Sequence, residues 1–339
     1  MATTQLADVY DPEIWQRLAQ EEQVERNAFL ASGVAVSEPL ITQKLSGGSD
    51  EITMPQFSGI QHGEPNYSSD DNTSFSTPKK ITSQQQKARS ASRNDSWAAM
   101  DLARELTDAD PVAAINASIG GFWASDDEKR LLNSCVGILA DNVANDGGDM
   151  VLDISNDDPL VSGEVPAENK LSEGTIILGM QTMGDRQDRI TAIAMHSVQL
   201  TQLRLAGLVR QEKDPETNAF LYESVFGRRV VVDDSMPVEV GTNRITYTVM
   251  LFGTGAVGYG TGPVENPSEI ERVASSGDGG GETIIYSRVN TCFHPFGFQF
   301  TGANVAGKFA TYTELADEAN WARVVARKNV AIAFIKVNG

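Results

Sequence analysis

Gly253-Thr254-Gly255-Ala256-Val257-Gly258 has the glycine spacing of a dinucleotide-binding turn and follows a run that reads as a strand. That chemistry requires the turn to open a helix, whose N-terminus holds the pyrophosphate. Here Tyr259-Gly260-Thr261-Gly262-Pro263 follow, a composition that does not make a helix, and no second strand ends in an acidic ribose ligand at the required distance. The spacing predicts a tight hairpin between two buried strands. His62, His196 and His294 are scattered, and neither Cys135 nor Cys292 lies at zinc spacing from another ligand. His196 stands between a strand and a helix start, a place where an enzyme can keep a base. No serine or cysteine elbow accompanies it, so a local hydrogen-bonding role is expected. The acidic pairs Asp126-Asp127, Asp157-Asp158 and Asp233-Asp234 lack the spacing of a calcium loop. The last of them ends the Val230–Val232 strand as ordinary turn chemistry. No catalytic, cofactor or metal constellation is expected.

The remaining chemistry is electrostatic. Lys79, Lys80, Lys87, Arg89 and Arg93 follow one another with no acidic residue between them, whereas residues 131–169 carry eight carboxylates and no base. A basic arm on an acidic chain is a device for grasping another copy of the same chain. A solvated loop is the alternative, and nucleic-acid binding ranks third because no aromatic stacking platform is interleaved with the charges. The whole chain has 27 Lys and Arg against 46 Asp and Glu, a net charge of −19, which argues against a phosphate-binding surface.

The elements that must carry these residues are legible in outline. At 339 residues and 40% hydrophobic content the chain is long enough for two compact lobes. Two isolated thiols form no disulfide framework and place folding in a reducing cytosol. Neither a signal-peptide pattern nor an apolar run of about 20 residues is visible. Asp11-Pro12 starts a helix whose loose stripe includes Trp15; that side chain either closes a small local core or touches another subunit. Ile52–Phe57 reads as a strand, and from Gln61 to Ser96 only Tyr67, Phe75, Ile81, Ala88 and Ala91 are apolar. Fixing a backbone residue costs about 1–2 kcal/mol, while burying a large apolar side chain returns about 1.5–3 kcal/mol. That segment is therefore disordered or held by pairing with something outside its own domain.

Trp97, Met100, Leu102 and Leu106 have the spacing of a short helix, and Asp110-Pro111 begins a long one that Gly147-Gly148 ends. From Pro111 to Asn145 it would run about 50 Å, with Gly120-Gly121 a local weakness. A strand at 150–154, a helix at 172–183, a strand at 190–195 and a helix capped by Ser197 follow. In Ile245–Phe252, Tyr247, Val249 and Leu251 alternate with Thr248, Met250 and Phe252, the period of a strand. Glu282–His294 is a long strand, Thr313 caps a helix reaching Trp321, and Val330–Val337 is a closing strand. The fold class is α+β with a mostly antiparallel sheet.

Taken in order, LADVYDPEIW at 6–15, GGDMVLDIS at 147–155, ITAIAMHSVQLTQL at 190–203, GRRVVVDDSMPV at 227–238, VMLFGTGAVGYG at 249–260 and ELADEANWARVVARKNVAIAFIKV at 314–337 resemble a tailed-bacteriophage major capsid protein of the HK-ninety-seven-like fold, shared in outline with encapsulin shells. The resemblance implies an N-terminal arm (1–48), an extended two-stranded loop (49–95), a peripheral domain with a spine helix (96–168, completed by 296–339) and an axial domain (169–295). It also implies a structural protein of the virion, assembled in the host cytoplasm into hexamers and pentamers of an icosahedral shell. Packaged double-stranded DNA is enclosed without sequence-specific binding, and the acidic balance fits an inner surface that does not hold it fast. An encapsulin-like compartment for cargo enzymes is the alternative, with a nucleotide-dependent oxidoreductase a distant third. No cofactor and no membrane are implied. The partners are further copies of the chain, a separate scaffolding protein since the arm is short, a portal, and in some relatives a decoration protein. Trp15, Lys79, Lys80, Lys87, Arg89 and Arg93 are the candidate inter-subunit contacts. Lys79 and Lys80 match no cross-linking set of lysine, asparagine and carboxylate.

Overall fold

A computed structural model describes residues 28–60, 63–73, 75–107, 110–159, 164–214 and 217–339. The expected helix from Asp11-Pro12, with Trp15, lies outside them. In chain order the first elements are helix α1 (Ala28–Ser32), strand β1 (Ala35–Ser37), helix α2 (Pro39–Ser46), and strands β2 (Glu51–Phe57), β3 (Ser83–Arg89) and β4 (Ala91–Met100). Helix α3 (Asp101–Thr107), the long helix α4 (Pro111–Asn145), β5 (Val151–Asp153), α5 (Glu173–Gln181), β6 (Ile190–Met195) and α6 (Ser197–Leu205) follow. Next come β7 (Arg210–Lys213), β8 (Phe220–Val225), β9 (Arg228–Val232), β10 (Val238–Val240), β11 (Ile245–Gly253), β12 (Val257–Thr261), β13 (Ser268–Val273) and β14 (Glu282–Pro295). The last elements are β15 (Phe298–Phe300), α7 (Tyr312–Leu315), β16 (Trp321–Arg323) and β17 (Ile332–Asn338).

One large sheet has the order β5-β17-β11-β6-β9-β8-β7, with β10 also on β11. Its pairings are antiparallel except β5 with β17 and β6 with β9. The period-two alternation of β11 divides its side chains between two cores. Met250 and Phe252 join Leu131, Cys135, Ile138 and Phe334 beneath α4, while Val249 and Leu251 join Ile176, Met180, Leu200 and Ile335 beneath α5 and α6. A sheet covered on both faces needs consecutive apolar side chains, as Val249–Phe252 of β11 and Ile332–Ile335 of β17 supply. The second sheet runs β1-β12-β14-β13, with β4 also on β14.

Helix α4 begins and ends where its caps predict. The Asp110 carboxylate accepts from the Ala113 N–H at 3.2 Å, and beyond Asn145 the chain turns through Gly147 and Gly148 at φ +70° and +71°. The helix continues unbroken through Gly120-Gly121.

Five local expectations are corrected. Trp97 and Met100 belong to β4, and helix begins only at Asp101, because ten residues from Ala91 to Met100 pair with Thr291 to Glu282 of β14. A ladder with a partner nearly two hundred residues away outweighs local helical spacing. The second half of the polar run 61–96 is likewise held within the chain: β3 pairs with β2 from Glu51↔Arg89 to Phe57↔Ser83. The Gly253–Gly258 turn joins β11 and β12 in different sheets and forms no hairpin. Its glycines permit close approach, since a Cβ on Gly253 would lie 2.7 Å from the Arg189 carbonyl oxygen. Helix α6 is capped by His196, whose Nδ1 accepts from the Val198 N–H at 3.2 Å, so Ser197 is the first helical residue. Thr311, not Thr313, caps α7 through a reciprocal pair with Glu314, and Trp321 begins β16. The threonine-to-glutamate spacing of a capping box was the available signal.

His294 on β14 is buried against Phe296 and Trp321, and burial lowers its pKa to about 4, a backbone hydrogen bond with Phe298 working weakly the other way. The unfolded chain therefore binds a proton below about pH 6.5 that the native chain refuses until about pH 4. Stability is complete above pH 6.5 and falls as pH drops, by about 3 kcal/mol at pH 4. In His294→Gln this part of the acid slope is expected to vanish. Urea midpoints at pH 7 and pH 5 would show it; parallel profiles for the two proteins would refute it.

Candidate assembly surface

Strands β2 and β3 form a ribbon that leaves the body at one end. Its root is fixed by a small core of Ile41, Leu45, Ile52, Met54, Ala88 and Cys292. The buried Gln86 side chain accepts from the Gly297 N–H at 3.1 Å and donates to Gln56. Ser90 N–H donates to the Asp50 carbonyl at 2.9 Å, which closes the root.

Beyond Phe57 and Ser83 the described residues of the projection are exposed almost throughout. Among its described residues, the ties across the projection include Ser58 N–H donating to the Thr82 carbonyl at 2.8 Å, Lys79 Nζ donating to the Glu64 carbonyl at 2.9 Å and Asn66 Nδ2 donating to the Thr77 carbonyl at 3.5 Å. Phe57, Ile60, Tyr67 and Phe75 are 77–86% exposed and Ile81 56%. Leaving such side chains in water forgoes about 1.5–3 kcal/mol each. Tyr67, Phe75 and Ile81 are among the five apolar positions too few to order 61–96; their exposure with Phe57 and Ile60 on one projection is what the fold adds.

The candidate contact residues separate into three groups. Lys79 and Lys80 sit on the exposed projection, and no described carboxylate forms an ion pair with either. Lys87 and Arg89 stand at the root, where Lys87 pairs with Glu51 at 2.7 Å across the ribbon. Arg89 is half-buried, with one guanidinium nitrogen 3.0 Å from where a Cβ on Gly302 would stand. Arg93 turns inward, its side chain 13% exposed, and bonds Asp126, Asp127 at 2.7 Å and Thr291 while resting over the Trp123 ring. Its charge is spent within the chain. Asp126 and Asp127, on the middle of α4, attract it because β4 runs alongside.

Three carboxylates of the acidic segment 131–169 are engaged within the chain too. Asp146 and Asp149 hold Arg323 at 3.3 and 2.7 Å. Asp157 accepts from the backbone N–H groups of Thr242, Asn243 and Arg244, and those bonds lower its pKa. Asp141 is buried, and desolvation raises its pKa. These carboxylates are intramolecular struts.

No helix among the described residues is long and apolar enough to cross a membrane. Residues 101–331 match the Gp13-like family, described as major capsid protein 13-like. The chain is 32% identical over 341 residues to the major capsid protein of Bacillus phage SPP1, covering 99% of this chain and 98% of that one. The capsid of Ralstonia phage GP4 superposes with a TM-score of 0.58 at 10% identity, over 99% of this chain and 98% of that one. The Cyanophage Pam1 capsid asymmetric unit does so at 0.57 and 14% identity, over 100% and 99%. At these identities the two structures speak to the fold alone.

Proposed function

The chain belongs to the Gp13-like family of major capsid proteins, and from that premise we propose that its copies build a closed shell by seating the 58–82 projection of each on a neighbour. The protein is a structural component of the virion capsid, not an enzyme. The observation that carries the seating is the row of large apolar side chains exposed on a projection that its own body does not cover.

In this reading the chain follows the HK-ninety-seven-like plan. Residues 1–48 are an arm, 49–95 the extended loop, 96–168 with 296–339 the peripheral domain around the spine helix α4, and 169–295 the axial domain. Copies gather as hexamers and pentamers of an icosahedral shell around double-stranded DNA, with a separate scaffolding protein, a portal and a decoration protein as partners. Trp15 of the arm and Lys79, Lys80, Lys87 and Arg89 of the loop supply contacts between copies. Burial of the apolar tip drives association, and the cations select carboxylate-bearing neighbours. The family match favours the viral shell over a cargo compartment, and no helix follows Gly253–Gly258 to hold a nucleotide.

The test is to replace residues 61–80 by a short glycine-serine link, leaving β2 and β3 joined. The subunit is expected to keep its unfolding midpoint, because the core of the root is untouched, and to form no particles in electron micrographs. Particles of ordinary size and number would overturn the proposal.

A further inference from the structure

Strand β13 is the outermost strand of the five-stranded sheet, hydrogen-bonded to β14 along one edge and open along the other among the described residues. An open edge is a template for another strand. Its middle residue, Ile270, is 62% exposed and lies between Glu269 and Glu271. Glu269 pairs with Arg288 and Glu271 accepts from the Tyr286 hydroxyl, each at 2.9 Å; with Glu265 and Asp278 also exposed, the carboxylates flanking β13 outnumber Arg272 and Arg288.

The projection carries the complementary pattern. Residues 79–82 are exposed, their chain continues into β3, and β3 is paired with β2 alone. Resting on the shell reading above, we propose that Lys79–Thr82 of one copy adds as a parallel strand to the open edge of β13 in a second copy. Setting Ile81 beside Ile270 places Lys80 beside Glu269, Thr82 beside Glu271 and Lys79 beside Ser268. Pro78 then meets Pro267, and the ladder stops there because neither residue has an N–H to donate. The antiparallel alignment on the same isoleucine pair would set Lys79 against Arg272, and like charges directly opposed on a sheet are unfavourable. Residues 79–82 of a copy's own tip are exposed and do not lie on its own β13, so the strand added to β13 comes from another molecule.

Crosslinking decides it. Lys80→Cys and Glu269→Cys are made in separate chains and coassembled with an excess of unsubstituted protein, so that particles form, and the particles are oxidised. Cys135 and Cys292 are buried and do not compete. A disulfide-linked band of twice the chain mass is expected from particles holding both variants. It should be absent when either variant is assembled without the other, before assembly, and when Glu173→Cys replaces Glu269→Cys. Particles that contain both variants yet yield no such band overturn the pairing and leave the shell standing. If the unsubstituted protein itself forms no particles, the shell reading fails and the pairing fails with it.

Discussion

Arg93→Ala is expected to lower the stability of the unassembled subunit by about 3–5 kcal/mol, the usual consequence of stripping a buried ion cluster of one partner. Asp126 and Asp127 have side chains only 13% and 19% exposed, and both would be left without the cation that offsets their desolvation. Nearby Arg130 does not replace it, because its guanidinium already donates to the Ala310 carbonyl at 3.0 Å. The loss would also remove a hydrogen bond to Thr291 of β14 and the packing of the Arg93 guanidinium over Trp123 of α4. Replacing Arg93, Asp126 and Asp127 together by apolar residues should recover most of the stability, since the penalty lies in the abandoned charges. Urea unfolding of the single and triple variants measures both effects. A surface contact would behave differently, costing under about 1 kcal/mol.

The second large effect reverses a familiar sign. Gly→Ala inside a helix ordinarily stabilises by about 1 kcal/mol. At Gly137, in the buried half of α4, a Cβ would run into the Leu315 carbonyl oxygen and lie 2.6 Å from Trp321 Cδ1. Neither neighbour can yield easily. The carbonyl is backbone and already accepts the Trp321 Nε1–H at 2.8 Å in a buried hydrogen bond. Gly137→Ala is therefore expected to destabilise by about 3 kcal/mol, the upper part of the range for overpacking, and to lower the thermal midpoint by several degrees. Gly120→Ala in the same helix is the control, because nothing lies within 4 Å of its added methyl. It should raise the midpoint slightly. A rise for both variants would show that the α7–β16 segment slides freely along α4.

Much of the fold was legible where local chemistry acts over a few residues. Asp110-Pro111 and Gly147-Gly148 bracket α4 by capping and by left-handed turning, both properties of the residues themselves. The alternation in Ile245–Phe252 marks a strand, and β11 is one; that both of its faces are covered is shown by the fold. The candidate surface was half legible. The poverty of apolar residues in 61–96 points to the projection but overruns it, since 83–89 and 91–96 are strand within the chain, and the direction in which a cation points is not a local property. Lys79 and Arg93 look alike in the sequence. One stands in water and the other is enclosed by Asp126, Asp127 and Thr291 from two other elements.

By itself the sequence determined the class of fold, the long helix with its limits, the alternating strands and the place of the exposed loop, because propensity, capping and periodicity act within a few residues. Only the tertiary structure decided that 97–100 are strand, that 253–258 passes between sheets, that Arg93 and the carboxylates of Asp146, Asp149 and Asp157 are engaged inside the chain, and that the edge of β13 is open. Each of these depends on partners many tens of residues away, whose backbone hydrogen bonds and opposite charges outweigh the local preference once the chain has closed around them.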